Sequence, residues 1–488
     1  MPNRTKYDGL PRPSERRCLG STDSEARRTS RNVWVAFAVA FIAMLANSNA
    51  CAEEPAPSVE QLALAIDSSN GLLAAGQSQK FLGARSCAAS ACHGGVDPDP
   101  RFPLSQRNEY VHWLDKDPHS RGYQTLQNEL SKAILQRLSR STDDDATHAK
   151  RLANCFGCHN PQPDQLQQAD TFFARDAVSC EICHGPAQQW IGPHATELWP
   201  GLKQTGDAAT LGFIKTEDIK IRAHTCAACH VGSPAREVNH DLVAAGHPAL
   251  KFELTAYYAM LPKHWRDADE RKANARLEIE LWKAGQVASG KASLELLKWR
   301  AARAADEQPD AVWPEFAEYD CYACHHDLVH PSWRQTASKN SVPLGMPAWG
   351  SWYFSRVKSS DGDSLQLLAD QMQLSLRPDP TAIVGAAELV RLATPRINAT
   401  IGLPANWDDA TQQYLALVAT EQAQRDAGMS NADALTAAIT TLREQLAFPP
   451  GHESPKGLFE RSDTSITRDQ VHQSLLDLMN QLQRRGEK

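Results

Sequence analysis

The sequence lacks several features by which large protein classes are recognised. It has no glycine-rich phosphate-binding loop, no low-complexity tract and little of the alternating apolar pattern that predicts β-strands. Its main apolar run, residues 33–46, is too short for a comfortable membrane span. The formal net charge of −7 argues against nucleic acid or an anionic lipid surface as a partner. We therefore expect no transmembrane span in the mature chain and no nucleic-acid partner.

The N-terminus has the pattern of a secretory leader. A basic stretch, Arg27–Arg31, precedes the apolar run, and an A-x-A cleavage site ends at Ala52. We therefore expect residues 1–52 to be a cleaved signal peptide and the protein to be periplasmic, with residues 53–85 as a lead-in segment. A lipid anchor at Cys51 and an uncleaved helical anchor are the alternatives.

The expected mature chain has no cysteine left for a structural disulfide, which is unusual for an exported protein. Two of the twelve cysteines, Cys18 and Cys51, lie in the leader, and the other ten fall in five short motifs that end in histidine. We call these motifs sites I to V: Cys87-Ala-Ala-Ser-Ala-Cys92-His93, Cys155-Phe-Gly-Cys158-His159, Cys180-Glu-Ile-Cys183-His184, Cys226-Ala-Ala-Cys229-His230 and Cys321-Tyr-Ala-Cys324-His325.

The Cys-x-x-Cys-His spacing of sites II to V is that of covalent haem c attachment. On one helical turn, cysteines at i and i+3 share a face and the histidine at i+4 stands beside the first cysteine. The two thiols can then reach the porphyrin vinyl groups while the imidazole reaches the iron. Zinc and iron–sulfur sites also use cysteine pairs, but they need no histidine after every second cysteine.

Site I has four residues between its cysteines instead of two. We predict that it also attaches a haem, which makes five haem c groups in all, and a free thiol pair or a disulfide is the alternative there.

A second ligand on each iron decides between electron transfer and small-molecule chemistry, because an iron with histidine on both sides is saturated. Twelve of the seventeen histidines lie outside the motifs. Our main candidates for the distal position are His119, His194, His240 and His247, which lie in loops or at helix edges. His224, His326 and His330 are secondary candidates. His112 and His264 adjoin tryptophans that suit simple packing, and His148, His452 and His472 suit a solvated surface.

The patterning predicts a mainly α protein in two parts. Residues 86–333 should form a pentahaem domain of short helices and loops, with one or two longer helices over Asp267–Ala305 that break near Gly285 or Gly290. Residues 334–488 should form a helical domain without haem. Its amphipathic segments are Ser364–Leu376, Pro380–Ala393, Trp407–Ala427, Asn431–Phe448 and Thr467–Arg485.

The order of these features resembles the cytochrome c-554-type multihaem family. The resemblance rests on the stretched site I, the Trp113–His119 segment, the Cys180–Pro186 motif with His194 downstream, and Ala244–Pro248. It implies haems packed in parallel and perpendicular pairs, with most irons held by two histidines from distant parts of the chain. It supports His119, His194 and His247 as distal ligands. The chain departs from the family in its fifth motif and its long C-terminal part.

We therefore expect a periplasmic multihaem cytochrome that transfers electrons, and catalysis is the less favoured role. The leader has eight Lys or Arg and four Asp or Glu, so the remaining chain has a net charge near −11, which suits a basic redox partner, periplasmic or membrane-bound. The alternative is an oxidoreductase that acts on a small nitrogen or sulfur compound at one open iron. The Cys-x-x-Cys-Lys motif of pentahaem nitrite reductases is not present.

The haem count can be checked by mass spectrometry of the mature protein. We expect a mass that corresponds to the chain without residues 1–52 and with five covalently bound haems. A mass with four haems would show that site I is not an attachment site.

Overall fold

The structure is a computed structural model that describes residues 79–102, 105–139, 145–161, 168–173, 175–321, 324–325, 346–429, 433–447 and 467–486. These residues are mainly helical, which confirms the expected fold class, and all belong to one compact unit, Ala56–Lys488. The predicted signal peptide and the side chains of His148, His326, His330 and His452 lie outside the described part. None of the described helices has the length and apolar character needed to cross a bilayer.

The first half of the described chain consists of short helices joined by irregular loops, as expected. The α-helices are α1 Glu109–Lys116, α2 Gly122–Thr125, α3 Glu129–Leu138, α4 Asp145–His159, α5 Cys180–His184, α6 Trp199–Thr205, α7 Asp207–Thr210, α8 Ile219–His230 and α9 His240–Ala244. Single 3-10 turns cover Ala84–Cys87, Pro118–Arg121 and Pro193–Ala195. Several helices begin at side-chain caps, such as Asn128 for α3 and Asp218 for α8, which accept backbone N–H bonds of the first turn.

The middle of the chain contains the longest helix. It is preceded by α10 Leu254–Met260 and α11 Asp267–Ala273, and the long helix α12 is Leu277–Ala305. The prediction of a break near Gly285 or Gly290 is wrong, because α12 runs unbroken through both glycines and the interruption lies before it, at residues 274–276. Gly285 is instead a point of close packing: a Cβ atom there would stand 2.6 Å from the Cβ of Leu254.

Helix α12 carries the site IV helix on its first half and the C-terminal helices on its second half. Leu277 and Leu281 of α12 pack with Ala223 and Ala227 of α8 in one buried cluster. Further along α12, Leu297 packs with buried side chains of the C-terminal half in a second cluster. These contacts fix the site IV motif on a rigid rod of 29 residues.

The C-terminal half is helical, as predicted, with one small β-ribbon. Its helices are α13 Ser364–Gln373, α14 Pro380–Leu392, α15 Trp407–Asp426, α16 Asp433–Leu446 and α17 Arg468–Gly486, each within a few residues of the predicted segment. Strands β1 Val357–Ser359 and β2 Pro395–Ile397 pair antiparallel, with Lys358 opposite Arg396. Helices α15, α16 and α17 pack around a leucine-rich core that includes Leu417, Leu442 and Leu475.

Two buried ion pairs hold α12 against two other segments, one that follows site IV and one that precedes site V. The guanidinium of Arg300 donates to Glu237 at 2.7 Å and to Glu318 at 2.5 Å. Arg300 and Glu318 are almost fully buried, so loss of one partner would leave the other charge uncompensated in the interior. The two ion pairs therefore fix the geometry of these segments rather than adding much to the free energy of unfolding.

Two glycines within helices, Gly285 and Gly385, provide a matched test of the close packing between Gly285 and Leu254. Gly285→Ala should lower the free energy of unfolding by about 1–3 kcal/mol, because the added methyl group overlaps Leu254. Gly385→Ala, with no heavy atom within 4 Å of the new Cβ, should raise it by roughly 0.5–1 kcal/mol through helix propensity. Denaturant unfolding followed by circular dichroism measures both. Stabilisation by both variants would contradict the close contact at Gly285.

Candidate haem-binding sites

Three of the regular motifs lie on helical turns, as their spacing requires. Site II forms the end of α4, site III forms the whole of α5, and site IV forms the end of α8. The two cysteines of each motif therefore share one helix face with the histidine beside them. At site III the helix stops directly after His184, where Gly185 has φ 82° and a Cβ atom would stand 2.0 Å from the carbonyl oxygen of Gly212.

The stretched site I reaches the same arrangement by a different backbone path. The N–H of His93 donates to the carbonyl of Cys87 at 3.2 Å, as that of His325 does to Cys321 at 2.8 Å in site V. The extra residues form a turn in which Cys92 and Gly94 donate to the carbonyl of Ala89. The histidine is thus returned to the first cysteine in spite of the two added residues, so site I fits the same role as the regular motifs.

Each motif histidine faces a second histidine from a distant part of the chain. The five pairs and the distances between their ring centres are His93 and His194, 6.1 Å; His159 and His247, 6.3 Å; His184 and His264, 6.2 Å; His230 and His119, 6.1 Å; and His325 and His240, 6.4 Å. The ring planes meet at angles from 18° to 79°. The separation is therefore nearly constant although the mutual orientation is not.

That separation fits two imidazoles on opposite sides of one metal ion. With about 2 Å from metal to nitrogen, the value for zinc–imidazole bonds, and roughly 1.2 Å from nitrogen to ring centre, the two ring centres stand roughly 6 to 6.5 Å apart. Stacked or edge-on aromatic contacts span about 4.5–7 Å, so one pair alone would decide little. All five pairs contain one motif histidine, and their ring-centre distances fall in a narrow interval. A metal ion shared by the two rings explains this better than simple packing does.

Several of these rings are oriented by hydrogen bonds at Nδ1, which leave Nε2 free for a ligand role. Nδ1 of His93 bonds Glu109 at 2.8 Å, and Nδ1 of His119 bonds Asp117 at 2.9 Å. The backbone carbonyl of Ile191 is hydrogen-bonded to Nδ1 of His194, and the carbonyl of Pro248 is hydrogen-bonded to Nδ1 of His247. Metal-bound histidines commonly have such partners, which fix both the tautomer and the ring orientation.

Burial keeps two of the motif imidazoles neutral. It lowers the pKa of His184 to about 3, with further repulsion from His264 and His93, and it lowers the pKa of His230 to about 4. A neutral imidazole has the free lone pair that an iron requires.

The structure brings all four main distal candidates opposite a motif histidine, and it adds His264. Sequence reasoning ranked His264 low because of Trp265, whose ring does lie 5.1 Å away, edge to face. The signal that could have found His264 is the count, because five irons with two histidines each would need five distal ligands and only four main candidates were named. His224 and His112 face no motif histidine among the described ring contacts, and Nε2 of His112 is buried without a hydrogen-bond partner.

The ten motif cysteines form no disulfide in the described part of the chain. Within the described ranges, no group of three or more His, Cys, Asp or Glu side chains converges as a metal-ion site. The motif residues are instead arranged as cysteine pairs beside opposed imidazoles. This donor set fits a porphyrin held through thioethers, with iron bound from both sides.

Comparison with known protein families bears on the same motifs. Residues 86–185 match the family model described as cytochrome c554 and c-prime. The resemblance to the cytochrome c-554-type family is confirmed for this segment. The match covers sites I to III and supports a c-type cytochrome role in electron transfer, whereas sites IV and V lie beyond it. No curated protein and no solved structure matched the chain.

The positions of the cysteines indicate which of the five candidate sites are neighbours. Cys87 in site I and Cys180 in site III lie close enough for each to shift the pKa of the other's thiol. Cys158 in site II and Cys229 in site IV likewise shift the pKa of each other's thiols. Because these sulfurs would be thioethers at the porphyrin edges, the contacts indicate that sites I and III adjoin, as do sites II and IV.

Two further relations connect these pairs. Burial raises the pKa of Cys183 in site III to about 12, and the nearby Cys226 and Cys229 of site IV add to the shift. Site V adjoins site II. His240, which faces His325 of site V, and His247, which faces His159 of site II, both lie in the short segment around α9. The sites are therefore adjacent in the order I, III, IV, II, V.

A buried carboxylate inside site III fixes it to site I, and sequence reasoning missed this residue. Glu181 accepts backbone N–H bonds from Leu82, Gly83 and Ala187 at 2.7–2.9 Å. Leu82 and Gly83 lie immediately before the turn that carries Cys87. These hydrogen bonds therefore fix the position of the lead-in segment and of site I relative to site III.

The turn of site I can be tested with a glycine pair. Gly94→Ala should prevent the turn, because the new Cβ would stand 1.9 Å from the carbonyl oxygen of Ala88, and a large fraction of the protein should then carry one haem fewer. Gly201→Ala in α6, with no heavy atom within 4 Å, should keep the full count. Mass spectrometry of peptides around Cys87 measures the loss. Full haem loading of Gly94→Ala would contradict the described backbone path.

Proposed function

We propose that this protein is a periplasmic electron-transfer cytochrome with five covalent haem c groups, each held by two histidines. The observation that carries the proposal is the set of five opposed imidazole pairs at 6.1–6.4 Å, each with one motif histidine. The confirmed c-554-type segment supports the same chemistry at sites I to III.

The proximal ligands in this proposal are His93, His159, His184, His230 and His325, and the distal ligands are His194, His247, His264, His119 and His240 in the same order. When bound, haem supplies a one-electron change between ferric and ferrous iron. The protein holds each imidazole in place and sets the order of neighbouring sites. It makes and breaks no substrate bond.

The order of the sites suggests where electrons enter and leave. Sites I and V are the two ends of the series, and their cysteines include the exposed ones: Cys92 in site I, and Cys321 and Cys324 in site V. The sulfurs of the three inner sites are partly buried. Because exchange with a partner protein requires an accessible porphyrin edge, we propose that the partners dock at these two ends.

The alternative of an oxidoreductase with an open iron is less well supported. Such an enzyme needs one haem whose distal side can accept a small molecule. In this structure a second imidazole faces every motif histidine, and no observation in the described residues favours one site as the exception. The proposal of electron transfer therefore takes precedence, with periplasmic or membrane-bound redox proteins as partners.

The newly recognised pair gives a direct test of the ligation. His264→Ala should convert one of the five ferric haems from low-spin to high-spin, because His184 would then be the only protein ligand of that iron. His472→Ala in α17, far along the chain from the motifs, is the matched control and should leave the spectrum unchanged. Electron paramagnetic resonance of the oxidised proteins, with and without cyanide, measures the change.

A wild-type protein with a cyanide-sensitive high-spin haem would overturn the proposal that all five irons have two histidines. A low-spin, inert spectrum for His264→Ala would remove His264 from the ligand set while leaving the haem count untouched.

A further inference from the structure

A buried arginine lies at the junction of sites II and IV. Arg236 is 7% exposed, and its side chain runs along the site II motif. A Cβ atom on Gly157, directly before Cys158, would stand 3.0 Å from Cγ and 3.5 Å from Cδ of Arg236. The glycine of Cys155-Phe-Gly157-Cys158-His thus makes room for this side chain.

The guanidinium of Arg236 lies near the cysteines of both sites. Its positive charge is close enough to act on the pKa of the Cys229 thiol in site IV and on that of the Cys158 thiol in site II. In a haem-bound protein these two sulfurs are attached to porphyrin edges, so the guanidinium lies beside two adjacent haems.

The charge of Arg236 has no carboxylate partner among the described residues. Its Nη1 atom is buried without any hydrogen bond. Arg300, also buried, shows the contrast, because two glutamates neutralise it at 2.5–2.7 Å. A buried cation without a counter-charge is costly, which indicates that the site gains from the charge itself or supplies a partner for it.

The backbone places Arg236 firmly. Ser233 and Arg236 exchange two backbone hydrogen bonds at 2.8–2.9 Å, and Gly232, with φ 115°, allows the chain to turn sharply before them. Asn154 of α4 bonds both the N–H and the carbonyl of the next residue, Glu237. The arginine is therefore held to the site II helix from both sides.

We propose that Arg236 is a positioning residue for electron transfer, and that its fixed positive charge raises the reduction potentials of the haems at sites II and IV. One-electron reduction lowers the positive charge on the iron, so a nearby cation in a low-dielectric setting stabilises the ferrous state. The electron comes from the redox partner, and no bond is formed or broken. This inference rests on the proposed function, because it requires haems at both sites.

The test compares three substitutions in the full-length, haem-loaded protein. Arg236→Gln and Arg236→Met remove the charge, and the methionine keeps an apolar stem against Gly157. Arg236→Lys keeps the charge. Midpoint potentials of the five haems are measured by spectroelectrochemical titration, and mass spectrometry and electron paramagnetic resonance report haem count and ligation.

We expect the two neutral variants to shift the reduction equilibrium of two of the five haems about tenfold towards the ferric state, which is 59 mV for a one-electron couple. Arg236→Lys should retain most of the wild-type values. The matched control is Arg356→Met, which removes another buried arginine, one paired with Asp409 in the C-terminal half, and should leave all potentials unchanged.

Unchanged potentials in a fully loaded neutral variant would overturn the inference. Loss of a haem from both neutral variants, with full loading of the lysine variant, would also overturn it and assign the charge to haem attachment instead. A wild-type protein without five low-spin haems would show that the proposed function itself has failed, which is a separate outcome from either result for Arg236.

Discussion

The opposition of two imidazoles across about 6 Å is the constraint on which the rest of the structure depends. A cysteine motif is local, and one helical turn provides it. The opposite histidine comes from another part of the chain, so each pair requires two distant segments to be held at a fixed separation. Capped short helices, the Glu181 bonds and the rigid α12 all contribute to that positioning. The many loops in the first half follow from this demand, because irregular backbone can bring a side chain to a point that regular elements cannot reach.

The long helix α12 joins the motif-bearing half to the C-terminal half. It packs on the site IV helix, and through Arg300 it holds the segments that contain Glu237 and Glu318. Arg271 extends the connection, with bonds to Glu278 and to Asp426 of α15. The C-terminal helices therefore support the positions of sites IV and V. The division at residue 334 into a haem domain and a separate helical domain stays a prediction.

Local chemistry explains which features the sequence predicts well. The spacing of sites II to V predicts attachment cysteines and proximal histidines because one helical turn contains all three residues of a site, and this assignment stays a prediction. The C-terminal helices follow from their amphipathic pattern, with errors of a few residues at their ends. Contacts between residues that lie far apart in the sequence cannot be predicted in this way. Gly285 is typical of a helix break in sequence but is required by Leu254 across a helix contact, and His264 was assigned to packing because its neighbour Trp265 gave a sufficient local reason. Glu181 and Arg236 have partners far along the chain, so no local pattern marks them.

The positions of the opposed histidines along the chain have a consequence for biogenesis. A polypeptide is made from its N-terminus, and domains begin to fold during synthesis. His119 precedes the site IV cysteines and His240 precedes those of site V, so under the proposed ligation both imidazoles exist when these cysteines are made. For sites I, II and III the order is reversed, because His194, His247 and His264 follow their motifs. A haem attached early at these three sites would have one protein ligand until the later segment arrived. The nascent chain would then pass through forms whose irons are open to small molecules, whereas under the proposed ligation the finished protein would close them.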